Sequence, residues 1–121
     1  MILQLTVPVE PSKNKIDFTD KICFLGSCFS DEIGGKSNTH GLETLSNPFG
    51  TIFHPIPLAR ILTNCINSEN KSNLFRHNNL IYDWDSSHVF SSISEKEHRI
   101  KISRQQELVR KQIQGKSWLF I

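Results

Sequence analysis

A short apolar run, Ile22 to Leu25, stops at Gly26-Ser27 and gives way at once to the polar, acidic stretch Ser30-Asp31-Glu32. Four apolar residues closed by a turn signal read as a buried strand. A serine directly after such a strand stands at the carboxyl edge of a sheet, where open α/β folds bind ligands. Backbone N–H groups of the turn and of the following helix start can stabilise an oxyanion there. Gly-Ser is also an ordinary strand-ending turn. Ser30, followed by two acidic residues, reads as the N-cap of the first helix.

The remaining periodicities suggest what surrounds this strand. Leu3 to Val9 alternates apolar and polar residues, as an extended segment would. Gly34-Gly35 and Ser37-Asn38-Thr39 are weak helix formers, so the helix over Ser30 to His40 is expected to be short or frayed. Leu42 to Leu45 suggests a short strand, and Asn47-Pro48-Phe49-Gly50 a turn. Pro57 suits a first helical turn, and Leu58, Ile61, Leu62, Cys65 and Ile66 follow at helical spacing as a core stripe. Leu80 to Tyr82 and Val89-Phe90 read as short strand or loop pieces around the polar turn Asp83 to Ser87. Glu95 to Gln114 is a charged helix with a thin stripe of Ile102, Val109 and Ile113, capped by Gly115. Ser117 to Ile121 opens a further strand. Strand, helix, helix, strand order predicts an α/β fold with a parallel sheet. A sheet that reaches only Ile121 is half built, so the chain is expected to be the N-terminal part of one longer domain.

Length and composition narrow the function classes. A chain of 121 residues makes one small domain. Its 14 basic and 12 acidic residues form no basic block, which gives nucleic-acid binding no support. No apolar run approaches the roughly 20 residues that span a bilayer, and the N-terminus does not read as a signal peptide. The expected compartment is the cytoplasm. Cys23, Cys28 and Cys65, three in number, set up no disulfide framework and no zinc-type pairing. Cys23 and Cys65 read as small core residues, and Cys28 as packing beside the serine.

The motif Gly26-Ser27-Cys28-Phe29-Ser30 resembles the one that names the GSCFA domain family, with Ser30 where the motif has alanine. The order of Asp20-Lys21-Ile22, Ile33-Gly34, Asn47-Pro48-Phe49-Gly50 and Ile52-Phe53-His54-Pro55 also resembles that family's N-terminal half. The resemblance implies kinship with SGNH (GDSL-like) hydrolases. It implies a flavodoxin-like three-layer α/β/α fold, a serine nucleophile after the first strand, and an oxyanion hole to which a Gly and an Asn from later loops contribute. It places the catalytic Asp and His near the family's C-terminus. Carried over by position, Ser27 is the nucleophile and Gly50, or else Asn47, lines the oxyanion site. The resemblance leaves the substrate open; the reaction expected of a full domain is acyl-ester hydrolysis or transfer, with no metal or organic cofactor. The family has a Gly- and Thr-containing loop after the strand that here reaches Ile121, so this chain is expected to lack turnover by itself. The rival expectation is a non-enzymatic protein that associates through its open sheet edge.

Serine needs a base to become a good nucleophile. The candidates are His40, His54, His77, His88 and His98. Asp83 and Asp85 beside His88 form the acid–histidine cluster of the sequence, and His54, between Phe53 and Pro55, reads as a packing or capping residue.

Overall fold

In the computed structural model, which describes residues 6–121, the central strand is β1 (Lys21–Phe24). It pairs in parallel with β2 (Glu43–Ser46) on one side and β5 (Ser117–Phe120) on the other. The chain leaves β1 through α1 (Cys28–Thr39) to reach β2. It returns through α2 (Pro55–Asn67) and α3 (Glu95–Gln112) to β5. The two connections run in opposite directions across the sheet, so right-handed crossovers put their helices on opposite faces.

Side-chain alternation along β1 shows those two faces. Cys23 and Leu25 are buried with Leu58, Ile61 and Cys65 of α2 and with Ile102 and Val109 of α3. Ile22 and Phe24 point the other way, and Phe24 stacks on Phe120 of β5 with ring centroids 5.1 Å apart. On that face α1 lies so close that a Cβ on Gly34 would collide with Ser46 and press on the Phe24 ring. The result is the α/β fold with a parallel sheet that the sequence predicts, with helices on both faces.

The weak helix formers turn out to belong to a complete helix of 12 residues. Gly34 costs helix propensity but permits the close approach to β2, and Thr44 Oγ1 donates to its carbonyl at 3.0 Å. The cap also differs from the expectation. Ser27, not Ser30, is the N-cap, its Oγ accepting the Phe29 N–H at 3.3 Å, while Ser30 is buried inside the first turn. In α2 the core stripe holds for Leu58, Ile61 and Cys65, but Ile66 is 67% exposed.

Between α2 and α3 lies an antiparallel hairpin of β3 (Leu74–His77) and β4 (Leu80–Asp83). Asn78 and Asn79 make its two-residue turn at φ 47° and 64°, the left-handed pair such hairpins need. Val89-Phe90 lies in a short 3-10 helix rather than a strand. Ser94 caps α3 by accepting the Glu97 N–H at 3.2 Å, and Glu97 reaches back to the Ile93 N–H at 3.3 Å. The helix ends at Gln112, and Gly115 takes φ 79° just beyond it. Of the extended segment expected over Leu3 to Val9, the first residues lie outside the described ones. Thr6 to Val9 form no regular element and are exposed.

Candidate active site

The carboxyl ends of β1 and β2 deliver the two turns that the sequence singles out to one place. Gly26, at φ 141°, leaves β1 in a conformation that side-chain-bearing residues rarely adopt. Ser27 follows in extended geometry and starts α1. The strand order β2-β1-β5 puts this point where the chain's direction of winding reverses, the ligand-binding position of open α/β sheets.

Asn47 holds the Gly26–Ser27 turn in place. Its Oδ1 accepts the Gly26 N–H at 2.8 Å and its Nδ2 donates to the Ser27 carbonyl at 3.0 Å. Its own N–H donates to Phe24 O at 2.8 Å. Asn47 sits at φ 41°, a left-handed conformation that asparagine tolerates better than most residues, and is buried. The Ile52 N–H completes the clamp by donating to Gly26 O at 2.8 Å. The N–H groups of Ser27 and Cys28 have no protein acceptor among the described residues.

Gly50 closes the Asn47 turn. Its N–H donates to Asn47 O at 2.8 Å, and at φ 77° it carries no Cβ that would strike Ser87. Ser87 in turn donates its N–H to Phe49 O at 3.0 Å, so the loop after β4 rests on the same turn. The structure thus brings Ser27, Asn47 and Gly50 into one hydrogen-bonded unit. In it the side chain of Asn47 and the N–H of Gly50 both have partners within the protein.

Three of the histidines have other work. Ser27 Oγ bonds the Phe29 N–H, and no histidine is hydrogen-bonded to it among the described residues. His54 caps α2 through Nδ1, which accepts the Ile56 N–H at 3.2 Å. His40 Nδ1 lies 2.7 Å from Lys36 O at the end of α1. The expected cluster of Asp83 and Asp85 with His88 is not what forms. Asp83 faces the fully buried His98, 3.4 Å from Nε2, and His98 Nδ1 sits 3.0 Å from Phe90 O. Asp85 pairs with Arg60 at 3.2 Å and accepts Asn73 Nδ2 at 2.8 Å, while His88 is exposed. His98 is among the candidate bases, but its burial against Asp83 was not legible because α3 looked charged on nearly every side. Its one signal was the i, i+4 step to Ile102 on the apolar stripe.

Of the thiols, Cys28 is exposed, while burial pushes those of Cys23 and Cys65 up to about 11. Both are packing groups rather than nucleophiles.

A serine at the switch point of a parallel sheet, braced by an asparagine from the next strand, defines a class: an α/β domain with a serine-bearing helix N-terminus as its candidate site. The chain belongs to the GSCFA family, whose model matches residues 21–121. No curated protein and no solved structure matches it. No helix among the described residues is long and apolar enough to cross a membrane.

Proposed function

We propose that this chain carries the nucleophile half of an SGNH-type serine acyl hydrolase or acyltransferase. The observation that supports this most is the clamp: Asn47 fixes the backbone on both sides of the Gly26–Ser27 peptide, leaving the Ser27 and Cys28 N–H groups at the start of α1 without a protein acceptor among the described residues. In the proposed reaction Ser27 Oγ attacks the ester carbonyl, and the developing oxyanion takes hydrogen bonds from those N–H groups. Gly50 lines the site by letting the Asn47 turn close, and Asn47 acts as a positioning residue. The serine's proton needs an acceptor, and in this reading the general base comes from outside the described residues. We place the protein in the cytoplasm, in keeping with its free thiols.

The test is the release of p-nitrophenol from p-nitrophenyl acetate with and without added imidazole as a surrogate base. Background-corrected turnover is expected to be near zero without imidazole, and to rise with imidazole in the wild-type chain but not in Ser27→Ala. Equal rates in the two proteins with imidazole would remove Ser27 from the mechanism.

A second reading has its own observation. Among the described residues β5 pairs on one side only, and beside it a groove of about 370 Å³ is lined by Phe24, Phe29, Ile33 and Phe120. An open strand edge next to an apolar face favours association. Concentration-dependent sedimentation, unchanged in Ser27→Ala and with no acylation of Ser27, would support this reading over the enzymatic one.

A further inference from the structure

The loop that supports Gly50 is itself built over a small void walled by Phe49, Ile61 and Ile102 as well as by polar side chains. That void, about 10 Å³, lies between the Asp83–Ser87 loop, α2 and α3, and its polar lining includes Asn64, Asp83, Asp85, Ser86 and Gln106. The Ser86 hydroxyl is buried here with no hydrogen-bond partner among the described residues. A buried hydroxyl without a partner is costly, and native proteins rarely tolerate one. The protein groups nearby are already engaged with one another. Asp83 Oδ1 accepts the Asn73 and Asp85 N–H groups, and each Asp85 oxygen accepts one donor. Asn64 Nδ2 donates to Lys71 O and Gln106 Nε2 to Glu69 O.

We infer that this void is a binding site for one structural water, held by Ser86 Oγ and by the oxygens of Asp83, Asp85 or Gln106. The size agrees: one water needs roughly 10–15 Å³ of such space and two to four polar partners. The chemistry agrees as well. Carboxylate and amide oxygens each accept more than one hydrogen bond, so both protons of a water find acceptors while its oxygen takes the Ser86 O–H. A metal ion fits less well, because no group of three or more acidic, His or Cys ligands converges among the described residues. The water would tie the loop to α2 and α3, and through the Ser87–Phe49 hydrogen bond steady the turn that carries Asn47 and Gly50.

Two measurements on the wild-type chain decide this. Water–amide NOE spectroscopy is expected to show a long-lived water beside the Asp85 and Ser86 N–H groups, lost in a folded Ser86→Ala variant. A crystal structure fine enough to show ordered solvent is expected to show one peak within hydrogen-bond distance of Ser86 Oγ. A dry void with Ser86 Oγ bonded to a protein atom would overturn the inference. So would a peak with several oxygen contacts at about 2.3–2.6 Å, the signature of a calcium-type cation.

Discussion

Asn47 Oδ1 accepts the N–H of Gly26 at 2.8 Å, across the gap between β2 and β1, and so sets the Leu25–Gly26 peptide at the entry to the Ser27 turn. Replacement by alanine removes the acceptor and leaves a buried N–H unpaired. Asn47→Ala is expected to lower stability by about 1–3 kcal/mol in urea titration. Asn47→Asp keeps an acceptor for Gly26 but loses the donor to Ser27 O, and should fall between alanine and wild type. Identical midpoints for all three proteins would mean that the clamp does not hold.

The glycines make a graded set. Gly35 is exposed, and a Cβ there meets nothing within 4 Å, so Gly35→Ala should stabilise by roughly 0.5–1 kcal/mol. Gly50→Ala must enter a left-handed conformation and push Ser87 aside, and Gly34→Ala must push α1 off Ser46. Gly50→Ala should destabilise by at least the roughly 1–2 kcal/mol of the backbone term alone. Thermal melts of the three variants check the order.

Helix propensity treated Gly34 and Gly35 alike, because propensity concerns the helix alone. Only the packing of α1 on β2 distinguishes them. The first strand, the parallel sheet and the Gly26–Ser27 turn were legible, since a compact apolar run and its turn signal are local. The β3 strand, Leu74-Phe75-Arg76-His77, was not legible. Its identity depends on pairing with β4 across Asn78-Asn79, and its burial is incomplete. The Asp83–His98 contact spans a hairpin-to-helix connection that no spacing rule describes.

Asp20 anchors the start of β5 to the start of β1. Lys116 Nζ lies 2.8 Å from Oδ1, while Asp17 N–H and Trp118 Nε1 donate to Oδ2 at 3.0 and 2.9 Å. With the Lys116 ammonium as the largest cause, followed by the Asp17 N–H and Trp118, its carboxyl is lowered from 3.8 to about 2. A depressed folded-state pKa contributes stability that is complete above the unfolded value and fades as pH falls through the folded one. Stability should therefore drop between about pH 4 and pH 2, with Trp118 fluorescence changing in the same range. Asp20→Asn should be less stable at neutral pH and flatter across that window. An equally steep acid transition in Asp20→Asn would assign it to other carboxylates.

In α2, two isoleucines of one expected stripe have separate fates. Ile61 is 6% exposed and Ile66 67% exposed. Ile61→Ala should cost about 2–5 kcal/mol, and Ile66→Ala should stay within about 0.5 kcal/mol of wild type. Chemical denaturation of the pair checks which face of α2 meets the sheet.

The placement of the nucleophile is tested most directly by locating the acyl group itself. The chain is treated with p-nitrophenyl acetate and imidazole, quenched in acid, digested and sequenced by mass spectrometry. Acetyl is expected on Ser27, absent from Ser27→Ala and reduced in Asn47→Ala. Acetyl on Cys28 or scattered over surface lysines, with Ser27 unmodified, would contradict it.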